Sequence, residues 1–481
     1  MQKNNKVFSN LIWRFAERCG AQGVKFVVEI ILARILLPED YGAIALVTVF
    51  ITILNVFVDS GLGNALIQKK NADDLDFSSV FYFNILWCII LYIMLFVLAP
   101  YIANFYLKPE LNPVIRILGV TIIISGVKNV QQAYVSCTMQ FKRFFFSTLS
   151  GTVGAAIIGI VLAYCGAGVW ALVAQQIFNT MIDTIVLWFT VSWRPKKLFS
   201  LKRLKTLFSY GWKLLASALI NTLYTNIWQL IIGKVYSASD LAFYNKGDQF
   251  PRLIVGNINS SIDSVLLPAL SQEQDSITRV KQMTRQSIKI SVYIMAPLMM
   301  GLASVAPGLV SLVLTDKWLP CIPFIRIFCI TYMFYPIHTA NLNAIKALGR
   351  SDLFLKLEIA KKVVGLLLLL LTMRHGVIVM AYSLLFSSVS SQIINSWPNR
   401  KLLNYSYLEQ LKDIIPSIIL ALFMGLCINI IGRTGMSQML ALGLQFIMGI
   451  IIYILGSKFL HIDSFAYLMN IVKTIWKNHR Q

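Results

Sequence analysis

The sequence predicts an all-α, polytopic membrane protein of about 14 transmembrane helices, and two observations carry that prediction. First, 57% of the 481 residues are hydrophobic, 13% are charged and the mean hydropathy is +0.69. A soluble domain has roughly a quarter of its residues charged, so most of this surface must face something other than water. Second, apolar runs of about 18–25 residues recur from end to end, the length that crosses a hydrocarbon core of about 30 Å. A chain within lipid satisfies its backbone hydrogen bonds internally, as helices or as a closed barrel. These runs are too long and too continuously apolar for barrel strands, which need about ten alternating residues.

The first run, 11–36, follows a polar stretch from Met1 to Asn10 with no small-residue cleavage site, so it reads as a span and not as a cleavable signal. Five more at 42–67, 79–105, 113–137, 145–165 and 168–192 complete an N-terminal six-helix lobe over 1–193. A basic linker, 194–206, mixes Arg194, Lys196, Lys197, Lys202, Arg203 and Lys205 with Leu198, Phe199, Leu201 and Leu204. That mixture suits a short helix lying on the cytoplasmic membrane face, with an irregular solvated loop as the alternative. A second six-helix lobe fills 207–400, with spans at 207–235, 241–269, 288–314, 321–345, 353–373 and 376–397. Two additional spans, 413–432 and 437–457, and a cytoplasmic tail make up 401–481.

The net charge of +22 raises nucleic acid as a partner, but the placement of the cations argues against it. Basic loops alternate with loops holding few cations. One side collects the N-terminal tail, Lys69 and Lys70, Lys142 and Arg143, the linker, Arg279 to Arg285, Lys346 and Arg350, Arg400 and Lys401, and the C-terminal tail. The richer side is cytoplasmic by the positive-inside rule, and an even number of spans puts both termini there. Contact with anionic membrane lipids is a secondary consequence. The seven cysteines (Cys19, Cys88, Cys137, Cys165, Cys321, Cys329 and Cys427) lie in or at the ends of spans with no CxxC pair, and the four histidines are scattered. Neither pattern has metal-ligand spacing. Without a P-loop, GxSxG or HExxH motif, no catalytic residue, metal or cofactor is expected. A proton or sodium ion is the candidate coupling ion.

An internal repeat crosses the linker. Ile31–Asp40 aligns without gaps on Ile231–Asp240, each running from a helix end with a cation, through a short turn, to an Asp that opens the next helix as a candidate N-cap. Repeats with even span counts have the same orientation, as in transporters with parallel halves. The opening helices of both halves carry polar stripes. On the first span Arg14, Arg18, Lys25 and Glu29 share a face, at about 100° per residue. The eighth repeats those spacings with Asp248, Arg252, Asn259 and Asp263. The second aligns Thr48, Thr52, Asn55 and Asp59, and the seventh aligns Lys213, Ser217, Asn221 and Tyr224.

Ionisable groups inside spans are expensive when they face lipid, so the stripes predict a cavity between the halves. Its basic excess (Arg14, Arg18, Lys25, Lys213 and Arg252) suits an anionic headgroup such as a phosphate or pyrophosphate. Asp59, Asp263 and Glu29 are candidate ion-coupling or gating carboxylates. Other readings remain for some of them: Arg14, Glu17 and Arg18 can snorkel to the interface, Lys25 and Glu29 can form a structural i, i+4 pair, and Asp59 can pair with Arg14 or Arg18. Two groups outside the opening helices read as structural, a Glu358–Lys362 interfacial pair and a buried, hydrogen-bonded His338 after Tyr335 and Pro336.

The run Leu36–Ala45 resembles the first periplasmic turn of the polysaccharide transporter family, the Wzx-type flippases. Asp59–Leu62, Gly166–Val173 and Ala347–Asp352 are also similar to segments of that family. The resemblance implies the fold of the multidrug/oligosaccharidyl-lipid/polysaccharide exporter superfamily. It also implies flipping of an undecaprenyl-pyrophosphate-linked oligosaccharide to the periplasmic leaflet of a bacterial inner membrane by alternating access. By position, contact with the pyrophosphate falls on Arg14, Arg18, Lys25 and Arg252. Expected partners are the lipid-linked oligosaccharide, membrane lipids, and polysaccharide polymerase and glycosyltransferases. The rival readings are an ion-coupled multidrug antiporter and a membrane glycan polymerase or ligase. The second of these wants a sizeable periplasmic loop, whereas Cys165–Gly168 is little more than a turn.

Overall fold

A computed structural model describes the backbone of residues 2–59 and 61–478. Side chains are described throughout that range except at 2–12, 14–16, 18, 19, 471, 472 and 475–478. Every described element is a helix. The chain divides into two compact units, Met1–Ala242 and Phe243–Gln481.

The first unit contains α1 (Gln2–Ile35), α2 (Pro38–Asp59), α3 (Leu62–Gln68), α4 (Asp74–Phe105), α5 (Leu111–Cys137), α6 (Lys142–Tyr164), α7 (Val169–Thr190), α8 (Leu201–Val235) and the opening turn of α9 (Ala238–Gln272). Within it α6 packs along α7, α4 along α5, α1 along α6, and α8 along α2. The second unit continues α9 and adds α10 (Ile277–Val313), α11 (Ile322–Met333), α12 (Tyr335–Ala347), α13 (Ser351–Thr372), α14 (Val377–Leu402), α15 (Tyr407–Ile431), α16 (Gln438–Phe459) and α17 (Asp463–Asn478). Here α10 is the hub, packing against α11, α12, α15 and α16. Tyr453 Oη donates to the Tyr293 carbonyl and Tyr293 Oη to Ser457 Oγ, both at 2.8 Å, fastening α16 to α10.

Among the described residues 12 segments are long and apolar enough to cross a membrane. The two expected spans outside that set are α1 and α13, at 34 and 22 residues long enough to cross. Their interrupting charges, such as Lys25 and Glu29 in α1 and Lys356, Glu358, Lys361 and Lys362 in α13, separate them from the rest. Fourteen crossings are compatible with this architecture.

Local sequence explains the breaks. α2 ends at Asp59 and α3 opens at Leu62, across the Ser60–Gly61 step; Ser60 itself lies outside the described residues. The break also lets α8 in, because a Cβ on Gly211 would sit 2.7 Å from the Gly61 carbonyl oxygen. Pro336 at the start of α12 separates it from α11, since proline supplies no amide donor and disfavours helical geometry in the residue before it.

The linker differs from expectation. Residues 191–200 have no helix, and the apolar residues Leu201 and Leu204 belong to the first turn of α8. No separate surface helix forms because this segment is pinned: Lys196 N donates to Ser78 Oγ (3.0 Å) and Ser200 N to Ser79 Oγ (2.9 Å). Trp193 Nε1 reaches Asp74, Lys196 pairs with the same carboxylate, and Ser200 caps α8. Beyond residue 457 the tail contains α17.

The repeat turns have matching geometry. α1 ends at Ile35 and α2 opens at Pro38; two hundred residues on, α8 ends at Val235 and α9 opens at Ala238. The aspartates are not N-caps but sit three residues beyond the cap position. Asp40 Oδ2 accepts from the Leu37 amide (3.1 Å) and Asp240 Oδ2 from the Ser237 amide (3.2 Å). The Asp240 amide donates in return to Ser237 Oγ (3.0 Å), completing a capping box that Leu37 cannot make.

Candidate functional site

In the first unit, the stripe of α1 is partly visible. The Arg14 and Arg18 side chains lie outside the described residues. Lys25 faces Glu29 at 3.8 Å and is 69% exposed, so this i, i+4 pair leaves the ammonium accessible. Glu17 accepts a hydrogen bond from Thr148 Oγ1 (3.3 Å), and Asp59 accepts from Asn129 Nδ2 (3.1 Å). These groups border one cavity of about 250 Å³, whose walls also include Asn64 and Gln132. Its floor is tight, because a Cβ on Gly63 would meet Asn129 Oδ1 at 2.8 Å. On α2, Thr52 donates to the Thr48 carbonyl (2.7 Å), and Gln176 of α7 reaches Thr48 Oγ1 (3.4 Å). Lys213 is exposed on α8.

The first unit also contains a pair that attention to the opening helices missed. Lys128 of α5 and Asp183 of α7 form an ion pair at 2.9 Å with both side chains largely buried. Asp183 is the sole charged residue of α7, and the nearest other charge to Lys128 in α5 is Arg116, about three turns away. The rule applied to α1 and α2, that an ionisable group inside a span needs a reason, singles out both.

In the second unit, Asp248 is buried and shared. Arg252 Nη2 lies 2.5 Å from its Oδ2, and Tyr332 Oη donates to its Oδ1 at 2.5 Å. Arg252 nonetheless remains 63% exposed, so Asp248 orients a guanidinium whose far side is open. Asp263 is exposed and accepts from Asn343 Nδ2 (2.9 Å). Tyr332 is the partner that sequence reasoning did not single out. Its ring meets Tyr335 edge-on at 5.9 Å, beside His338.

The two groups read as structural have structural surroundings. His338 is buried between Asn395 Nδ2 (3.1 Å) and Ser388 Oγ (3.4 Å). Below it, Asn341 and Gln410 exchange amide hydrogen bonds at 2.9 and 3.1 Å, with Ser396 and Asn399 joining the network. Glu358 of the expected interfacial pair also meets Lys361, at 2.5 Å. At the head of α13, Arg350 makes two 3.0 Å hydrogen bonds to Asp352, which hold that carboxyl down at about 2.

The class of protein that follows is a multi-pass helical membrane protein with paired cationic and carboxylate groups inside its spans and no strand among the described residues. It belongs to a family: residues 31–323 match the model described as polysaccharide biosynthesis protein, and the chain is a member. That range includes three of the four segments that resemble polysaccharide transporters.

Among curated proteins, the teichuronic acid biosynthesis protein TuaB of Bacillus subtilis is 28% identical over 306 residues, 62% of each chain. The succinoglycan biosynthesis transport protein ExoT of Rhizobium meliloti is 26% identical over 313 residues, 65% of this chain and 63% of that one. The match thus spans a little under two thirds of the length of these relatives. The lipopolysaccharide biosynthesis protein WzxC of Escherichia coli is 23% identical over 367 residues, 75% of this chain and 74% of its own. Among solved structures, the lipid II flippase MurJ in an inward closed conformation superposes with a TM-score of 0.77, covering 94% of this chain and 99% of its own at 13% identity. An inward-facing multidrug resistance MATE transporter of the MOP superfamily reaches 0.62, over 80% and 94% at 14% identity. The fold is therefore the one expected for that exporter superfamily.

Proposed function

We propose that the protein is a flippase that carries an undecaprenyl-pyrophosphate-linked oligosaccharide from the cytoplasmic to the periplasmic leaflet for surface polysaccharide assembly. The observation behind this reading is family membership over residues 31–323, with relatives named for polysaccharide biosynthesis and, in one case, for its transport. A fold on which a lipid II flippase is built adds support.

In this reading the exposed cations Lys25, Lys213 and Arg252, with Arg14 and Arg18, receive the pyrophosphate. Asp248 holds the Arg252 guanidinium ready, which limits the side-chain entropy lost on binding. Asp59, Asp263 and Glu29 are the coupling or gating carboxylates, with a proton or sodium ion as the coupling species. Both termini face the cytoplasm of a bacterial inner membrane. No covalent step is required of the protein, so it acts as a transporter and not as an enzyme, handing its cargo from glycosyltransferases to a polymerase.

The test is reconstitution in liposomes with a defined lipid-linked oligosaccharide, scoring how much becomes accessible in the opposite leaflet. Lys25→Gln and Arg252→Gln should each slow flipping by about tenfold or more, the scale of one lost charge-assisted contact. Full activity in both variants would remove the site assignment. Transport of cationic drugs with no movement of the lipid-linked sugar would favour a multidrug antiporter.

A further inference from the structure

Asp248 sits four residues before Arg252 on α9, one helical turn away, so spacing alone can pair them. Its burial comes from α11. A Cβ on Gly247 would collide with Phe324 Cβ and lie 3.1 Å from the Cys321 carbonyl oxygen, so glycine lets the two helices close up beside the carboxylate. The Asp248 side chain is 8% exposed, against 63% for Arg252. Each carboxylate oxygen has its own partner, Arg252 Nη2 on Oδ2 and Tyr332 Oη on Oδ1, both at 2.5 Å.

The titratable groups around Asp248 are Tyr244 and Arg252 on its own helix, Tyr332 of α11 and Tyr335 of α12. Behind Tyr335 stands His338, with ring centres 5.6 Å apart, and Glu358 of α13, also near Tyr335, is paired with Lys361. Arg252 supplies the charge that balances Asp248. An anion arriving on the open side of Arg252 draws on the same guanidinium. A pyrophosphate carries more charge than one carboxylate and offers paired oxygens to the planar group. A buried carboxylate that loses its cation is unfavourable, and taking a proton removes the charge. The oxygen left bare is Oδ2, while Oδ1 can accept from Tyr332 whether the acid is ionised or neutral.

We propose that Asp248 is a proton site linked to cargo binding: as a pyrophosphate takes Arg252, a proton from the solvent settles on Asp248 Oδ2. The inference rests on the pyrophosphate reading and gives the cargo a proton that enters with it. The O–H is the one covalent bond formed, and the solvent buffer is the donor. Linkage is reciprocal, so acidification tightens binding of the anion just as the anion promotes uptake of the proton. An arginine with no carboxylate beside it has no such dependence near neutral pH, because it stays charged.

Calorimetric titration of the full-length protein in detergent with farnesyl pyrophosphate tests this, at one near-neutral pH in buffers of different ionisation enthalpy. The wild type should take up between about half a proton and one proton per ligand more than Asp248→Asn does. The probe's own ionisation is common to both and cancels in the difference. Relative to that variant, binding should also tighten by about threefold to tenfold per unit of acidification. Arg252→Gln, with no guanidinium to give up, should lose the uptake as well, and thermal unfolding checks that both variants are folded. Probe binding with equal proton uptake in the wild type and Asp248→Asn would overturn the proposal while leaving the pyrophosphate reading in place. Failure of the wild type to bind the probe would remove that reading, and the inference with it.

Discussion

A carboxylate inside a helical membrane bundle persists only with a partner, and Asp183 has one in Lys128. Removing one member leaves a buried charge unanswered, so Lys128→Ala should cost about 3–5 kcal/mol. Lys128→Ala combined with Asp183→Ala should cost less than the two single changes added together, measured by denaturant unfolding in detergent micelles. A double-variant cost equal to that sum would show that the side chains do not interact. Gly42 makes a different demand at the same scale. A Cβ there would lie 1.8 Å from the Ala238 carbonyl oxygen, a backbone atom that cannot turn aside. Gly42→Ala should therefore lose about 1–3 kcal/mol by overpacking. Gly256→Ala in α9, with nothing within 4 Å of the added methyl, should gain up to about 1 kcal/mol. Thermal unfolding of the pair separates crowding from the general effect of replacing glycine.

Among elements, the two repeat turns show one solution made in two strengths. Asp240 and Ser237 exchange bonds, whereas Asp40 receives only the Leu37 amide. Asp240→Ala should cost about 1 kcal/mol and Asp40→Ala less, and Leu37→Ser should recover part of the difference in thermal unfolding. The attachment of α17 depends on pH in a definite direction. The Lys289 ammonium, hydrogen-bonded to Asp463, holds that carboxyl below the usual carboxylate range. The folded value being lowered, the bridge is complete above the ordinary Asp pKa of about 4 and is lost as pH falls through the lowered one. Neutral and mildly acidic buffers should thus leave α17 docked. Asp463→Asn should loosen it at neutral pH, raising the rate of limited proteolysis near 460–470 by a factor of about 2–5 because the acid is mostly exposed. Proteolysis unchanged by Asp463→Asn would show that the buried Ile462 and Ser464 anchor the helix unaided.

Over the whole molecule, family and fold agree, and coupling is the property left for experiment. Asp59→Asn and Asp263→Asn should abolish stimulation by a proton or sodium gradient while leaving slow downhill flipping, measured in the same liposomes with and without the gradient. Much of the architecture was legible beforehand because lipid imposes it. Span length, helicity and the alternation of basic loops each follow from local composition, and the 200-residue repeat lands on turns of the same form. Several features were not legible. Whether 194–206 forms a surface helix depended on Ser78 and Ser79, more than a hundred residues away, accepting its amides. Lys128 and Asp183 were visible as isolated charges, but nothing local joined residues 55 positions apart.

The sequence by itself determined that this is a helical, many-times-crossing membrane protein, because solvation by lipid acts on each segment separately and leaves its mark in composition and period. Tertiary structure alone decided which polar groups meet. It joined Asp59 to Asn129 beside Glu17, brought Tyr332 to the buried Asp248, and bound α17 to α10. Those pairings depend on helices distant in sequence being brought within about 3 Å, the hydrogen-bonding range, and no local pattern encodes such an approach.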